Sequence, residues 1–156
     1  PYGEYAMRRW SPTEPRPVDS VQGAAMLVRR SAQEQVGPLD TSYFMYSEEV
    51  DWCTRIRRAG WEIYWVPASQ IVHYGGQSAR QVADAMFLQL YRGKIQYFHK
   101  HWGRIATWAY KLVLALATLA RLVLTPLTWL EPPSRRHRHL VLARQYGLLL
   151  RALPNM

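Results

Sequence analysis

Apolar positions along this chain of 156 residues change their spacing about halfway, and the change predicts two kinds of structure. Residues 1–17 hold four prolines and no periodicity, which reads as irregular loop. Residues 24–29 (AAMLVR), preceded by Gly23, form a short apolar run suited to a buried strand. Residues 31–36 suit a brief helix capped by Ser31 and closed by Gly37-Pro38. Ser47 caps a stronger helix, with Glu48, Glu49 and Asp51 in its first turn and Arg55, Arg57 and Arg58 in its last, before Gly60 stops it. That charge order suits the helix macrodipole at both ends. Residues 61–66 and 69–74 read as strands ending at Pro67 and at Gly75-Gly76, and a helical pattern with Val82, Met86, Leu90 and Tyr97 runs from about 79 to 101.

Residues 104–130 differ from everything before them. Wound as a helix, they place Arg104, Thr107, Lys111, Thr118, Arg121, Thr125 and Thr128 on one narrow stripe, interrupted by Leu114, while Leu, Val, Ile, Ala, Trp and Tyr cover the rest. The segment is long enough to cross a hydrocarbon core of ~30 Å. Lys111 and Arg121 at its centre cost roughly 5–7 kcal/mol, about as much as its Leu, Ile and Val residues return. A helix lying in the interface, both cations reaching headgroups, is therefore the expectation. The basic run Arg135-Arg136-His137-Arg138-His139 and an amphipathic stretch over 140–153, with Arg144 and Arg151 on its polar side, extend that surface.

Charge sharpens this division. Residues 1–84 carry 9 Lys/Arg against 10 Asp/Glu, whereas residues 85–156 carry 11 against Glu131 alone. A cationic, Leu-rich second half points to anionic lipid or to nucleic acid. The cations adjoin a Leu-rich face instead of lining an aromatic platform, so the lipid surface is favoured and no nucleic-acid partner is expected. A composition of 49% hydrophobic and 13% aromatic residues excludes a disordered chain. The single Cys53 excludes a disulfide framework and a cysteine-based metal site. The Pro1 start, without Met and an apolar run, carries no signal peptide and suggests a chain cut from something longer.

Three places could carry chemistry. The run 43–52 (YFMYSEEVDW) sets two adjacent carboxylates, Glu48 and Glu49, at a helix start behind an aromatic loop. A rigid helix start suits a general base, although acids are also favoured there for helix stability alone. His73, at a strand end before two glycines, could hold a divalent metal or a phosphate, or be structural. Gly23, before the run 24–29, permits close backbone approach of a ligand.

In their order, VDSVQGAAMLVRR, VGPLDTSYFMYSEEVDWCTRIRRAGW and IYWVPASQIVHYGG resemble the C-terminal half of family 2 glycosyltransferases, rhamnosyltransferase-like members in particular, over residues 18–101. The resemblance implies an α/β fold: the acceptor-side part of a GT-A type nucleotide-sugar transferase domain over 1–103, then amphipathic, membrane-associating helices over 104–156. It implies Glu49 as catalytic base, where the family usually carries Asp, with Glu48 beside it. Gly23, Asp51 and Tyr46 fall on the acceptor side and His73 at the metal–diphosphate edge. It further implies inverting transfer of a sugar, rhamnose from dTDP-rhamnose being the expected case, to a lipid-linked or cell-envelope glycan at the cytoplasmic face of the inner membrane, by a peripheral or monotopic enzyme. The Mg²⁺ or Mn²⁺ ion and the donor are expected mainly on an N-terminal half containing an Asp-x-Asp motif. No such motif precedes Asp19, so these residues alone are expected to be inactive. The alternative is a non-catalytic membrane-surface binding module or a degenerate transferase fragment.

Overall fold

A computed structural model describes residues 13–74, 82–130 and 132–156. Residues 1–12, residues 75–81 with Gly75-Gly76 and the expected helix start over 79–81, and Glu131 lie outside them. In chain order the elements are β1 (Arg16–Pro17), α1 (Arg30–Val36), α2 (Glu48–Arg58), β2 (Tyr64–Trp65), α3 (Ala83–Leu124), a 3-10 turn (Thr125–Leu130), α4 (Pro133–Ala152) and a last 3-10 turn (Leu153–Asn155). The described residues are thus mostly helical, and their one sheet is small: β1 and β2 run antiparallel, with Arg16 opposite Trp65 and Pro17 opposite Tyr64.

Two strand expectations differ from the structure. Residues 24–29 and 69–74 form no ladder, and Leu27, Ile71, Val72 and Tyr74 stand exposed. A strand exists only against a neighbour that takes up its amides and carbonyls, and no such neighbour is found among the described residues.

The chain divides into two compact units, residues 13–41 with 48–74, and residues 42–47 with 82–156. In the first, α2 supplies the core through Trp52, Cys53 and Ile56, joined by Ala32 of α1. Its end is the one the sequence predicts. The Gly60 amide donates to Arg57 O (3.0 Å) and the Trp61 amide to Ile56 O (3.2 Å), with Gly60 at φ 90°. This pair closes the last carbonyls in the left-handed turn that favours glycine. Asp51 is completely buried and accepts from Arg55 Nε at 2.9 Å. Arg55 also donates to the carbonyls of Val36 (2.5 Å) and Pro38 (2.7 Å), and Trp52 Nε1 to that of Gly37 (2.9 Å). One buried ion pair thereby fastens α2 to the C-terminal end of α1, where a cation is favoured.

In the second unit, α3 is two helical arms, 83–102 and 104–124, joined at Gly103 (φ 77°, ψ −171°). The arms fold back on each other: the rings of Phe98 and Tyr110 stack at 4.5 Å, and Ile95 and Leu114 share a core with Leu149 and Leu153. α4 packs against both arms. Asp84 accepts from Gln145 (3.2 Å) and pairs with Arg144 (2.9 Å), while the Arg121 guanidinium lies 5.2 Å over the Tyr146 ring. Gly103, the boundary expected from the sequence, is a bend inside this unit.

The packing reverses the expected use of the polar stripe. Thr107, Lys111, Leu114 and Thr118, spaced four, three and four, are the buried positions of the second arm, with Lys111 9% and Thr118 1% exposed. Lys111 Nζ donates to the main-chain oxygen of Met156 and lies 5.1 Å from the Trp108 ring centroid. The apolar residues face outward instead, Ile105 at 88% and Val123 at 75% exposure, with Trp108, Leu112, Val113 and Leu116 also exposed. Lys111 therefore reaches a carbonyl inside the unit and not a headgroup, because a buried ammonium requires a partner. The helix is long and apolar enough to cross a membrane.

Candidate functional site

Glu48 and Glu49 open α2 directly after two residues held at positive φ, Tyr46 (68°) and Ser47 (72°). Such angles are uncommon for side-chain-bearing residues and persist only where surroundings impose them. The first arm of α3 supplies the constraint. A Cβ on Gly93 would stand 2.6 Å from Tyr46 O and 3.3 Å from Ser47 Oγ, so helix backbone and loop touch directly. Gln89 Nε2 reaches Met45 O at 3.5 Å, Gln96 Nε2 donates to Ser42 Oγ at 2.6 Å, and Lys100 lies 5.8 Å over the ring of buried Tyr43. The loop before the acidic pair is thus held at Ser42, Tyr43, Met45, Tyr46 and Ser47, while Phe44 stands exposed.

The pair is unusual in what it lacks. One carboxylate oxygen of Glu48 and one of Glu49 are buried without a hydrogen-bond partner among the described residues. A buried oxygen left unmatched is costly and needs an explanation. Burial pushes the Glu49 carboxyl above its ordinary range; the charge of Glu48 adds to this, while the amides of Glu49 and Val50 pull the other way. The backbone of Gly23 lies against the stem of this side chain, its Cβ position 3.6 Å from Glu49 Cβ and 3.8 Å from Glu49 Cγ. One turn on, burial raises the Cys53 thiol, which keeps it protonated and inert.

The structure brings Gly23, Glu48 and Glu49 together within the first unit. Tyr46 is half-buried and belongs by its contacts to the second unit, two residues before Glu48. Asp51 points into the core, tied to Arg55 within α2, and not toward Glu49 as an acceptor-side residue. His73 is exposed. Among the described residues, no three His, Cys, Asp or Glu side chains gather to hold a metal ion. A divalent cation of the Mg²⁺ kind asks for about six oxygen or nitrogen ligands, so the residues present do not by themselves fit one. Gly93, Gln96 and Ser42 were not singled out by the sequence pattern. A glycine inside a helix, where it costs stability, was the available signal for Gly93.

An arrangement of this kind, a carboxylate of raised proton affinity at a helix start with glycine backbone against its stem, can accept a proton from a hydroxyl group. About half of the chain is similar to rhamnosyltransferases, and a shorter part to a hexosyltransferase. In particular, 74 residues are 45% identical to the N-acetylglucosaminyl-diphospho-decaprenol L-rhamnosyltransferase of Mycobacterium tuberculosis, covering 47% of this chain and 24% of the relative. A stretch of 70 residues is 39% identical to rhamnosyltransferase WbbL of Escherichia coli (45% and 26%). A stretch of 43 residues is 46% identical to the low-salt glycan biosynthesis hexosyltransferase Agl10 of Haloferax volcanii (28% and 14%). The chain is rhamnosyltransferase-like, and the matches span about a quarter or less of these relatives' lengths. No protein-family model and no solved structure matches the chain.

Proposed function

We propose that these residues are the acceptor-side, base-carrying part of an inverting sugar transferase of the GT-A type, with the donor-binding half lying outside residues 1–156. Glu49 takes the proton of an acceptor hydroxyl; the freed oxygen bonds to the anomeric carbon as the bond to the nucleoside diphosphate breaks, inverting that carbon. The donor is dTDP-rhamnose or a similar activated sugar, and the acceptor a lipid-linked or cell-envelope glycan. Support comes above all from the buried, unpartnered carboxylate oxygens of Glu48 and Glu49. A hydroxyl donor arriving beside Gly23 would satisfy the Glu49 oxygen, and burial, by raising the affinity of Glu49 for protons, makes it a stronger base than an ordinary carboxylate. Any divalent cation is held mainly by groups outside these residues, with His73 at its edge. The second unit presents its apolar face to the cytoplasmic side of the inner membrane, where lipid-linked acceptors lie.

Glu49→Gln in the full-length protein tests the assignment. Transfer should fall to background while folding and vesicle binding are kept; a variant that turns over at the wild-type rate removes Glu49 from the role of base.

A further inference from the structure

Residues 19–23 lead from the small sheet to the acidic pair, and they lie along α2 in a fixed register. The ladder of β1 and β2 extends one step past Pro17, where the Val18 amide donates to Ile63 O at 2.9 Å. Asp19 Oδ1 then meets the Arg57 guanidinium at 2.6 Å. The Val21 amide faces the sulfur of buried Cys53 and donates to it. Gly23 follows, its Cβ position 3.6 Å from Glu49 Cβ.

Positions 19, 21 and 23 thus meet positions 57, 53 and 49. Steps of two along the segment answer steps of four along the helix. Two residues of near-extended chain span about 6.6 Å and four residues of helix about 6 Å, so the two run antiparallel without falling out of step. A slip by one residue would turn Asp19 and Val21 away from α2 and bring Ser20 and Gln22, both exposed, into their places.

The contacts differ in weight. Asp19 and Arg57 are 86% and 49% exposed, and an ion pair so placed adds little to stability. It distinguishes one register from the next more than it holds a fold. Cys53 is fully buried one turn after Glu49, on the same face of α2. Burial keeps its thiol protonated, so it serves here as a neutral acceptor and not as a nucleophile. A hydroxyl that reaches Glu49 past Gly23 is placed by the backbone at residue 23, and that backbone is placed by residues 19 and 21.

We propose that residues 19–23 form a strap whose register on α2 sets how an acceptor hydroxyl meets Glu49, with Asp19, Arg57 and Cys53 as positioning residues. The proposal rests on Glu49 as the base and adds the part that aims the substrate at it. Base and strap anchors share one helix, so their spacing is set by α2 itself.

The test uses the full-length protein as Asp19→Arg, as the charge swap Asp19→Arg/Arg57→Asp, and as Glu34→Arg. The last breaks the exposed Arg30–Glu34 pair of α1, in the same unit but away from the strap. Rhamnose transfer from dTDP-rhamnose to polyprenyl-diphospho-N-acetylglucosamine is measured while each substrate is varied in turn. An exposed pair favours its bound arrangement by up to about fivefold. Asp19→Arg, which sets two cations face to face, should therefore lower kcat/KM for the acceptor about fivefold and leave the donor KM unchanged. The swap should restore it to within twofold of wild type, and Glu34→Arg should not move it. Hydrogen exchange read by mass spectrometry needs no substrate: the amides of residues 19–23 should exchange about fivefold faster in Asp19→Arg and return to wild type in the swap. Wild-type acceptor kinetics or wild-type exchange in Asp19→Arg overturns the strap and leaves Glu49 as the base. A loss that the swap does not restore, or that Glu34→Arg shares, overturns it as well. Glu49→Gln, measured alongside, keeps the two claims apart, because its turnover at the wild-type rate removes the base itself.

Discussion

Gly93→Ala perturbs the proposed base without touching it. The added methyl would sit 2.6 Å from Tyr46 O, a backbone atom that cannot rotate away. Ordinary contact requires about 0.6–0.8 Å more. Either the loop 42–47 or the first arm of α3 must yield, and the loop, with Tyr46 and Ser47 already at positive φ, is the less regular of the two. Glu48 and Glu49 follow two and three residues later. If misplacement by 1 Å costs ~100-fold, a shift of this size lowers turnover roughly 15- to 40-fold. Stability moves less: overpacking of about 1–3 kcal/mol is partly offset by the ~1 kcal/mol that alanine gains over glycine inside a helix. Initial rates of labelled-sugar transfer, normalised to folded protein by circular dichroism, read the two effects separately. A variant that turns over within twofold of wild type refutes the reasoning, and so does one that loses stability while each folded molecule works normally.

Removing the Glu48 charge changes the pH dependence of the same group. Glu49 is raised first by burial and then by Glu48, and a base works only when deprotonated, so transfer should fall as pH drops through that raised value. Glu48→Gln should move the acid limb to lower pH, still above an ordinary carboxylate because burial remains; an unmoved limb in a pH–rate profile separates the two acids. The stability sign is opposite: folding favours protonated Glu49, so its contribution weakens as pH rises through the same range. In the core, Arg55→Ala leaves Asp51 buried without its cation and should cost about 3–5 kcal/mol in a denaturant titration. A loss under 1 kcal/mol would show that Asp51 finds water or protonates cheaply.

Local signals in the sequence carried far. α2 could be read to the residue at its end because acids, bases and Gly60 all served one element, and the acidic pair stood out for the same reason. The runs over 24–29 and 69–74 could not be resolved, since a strand is a property of two segments and its neighbour is not written beside it. The stripe from Arg104 to Thr128 was visible, but its direction was not. Periodicity identifies a polar face and says nothing of whether water, headgroups or α4 will meet it. The clamp on the aromatic loop escaped notice because Ser42 and Gln96 are 54 residues apart and each is ordinary alone.

The buried line of Thr107, Lys111 and Thr118 has a consequence for how this unit responds to its surroundings. Most folded helices cohere because water drives their oily sides together, and detergent or lipid weakens that drive. Here Ile95, Leu114, Leu149 and Leu153 form the seam with Lys111 bonded across it to Met156, and oily side chains form much of the outer coat as well, so an apolar medium solvates the coat. Plain buffer leaves that coat exposed. Stripped of lipid, the unit should turn its coat against a second copy of itself.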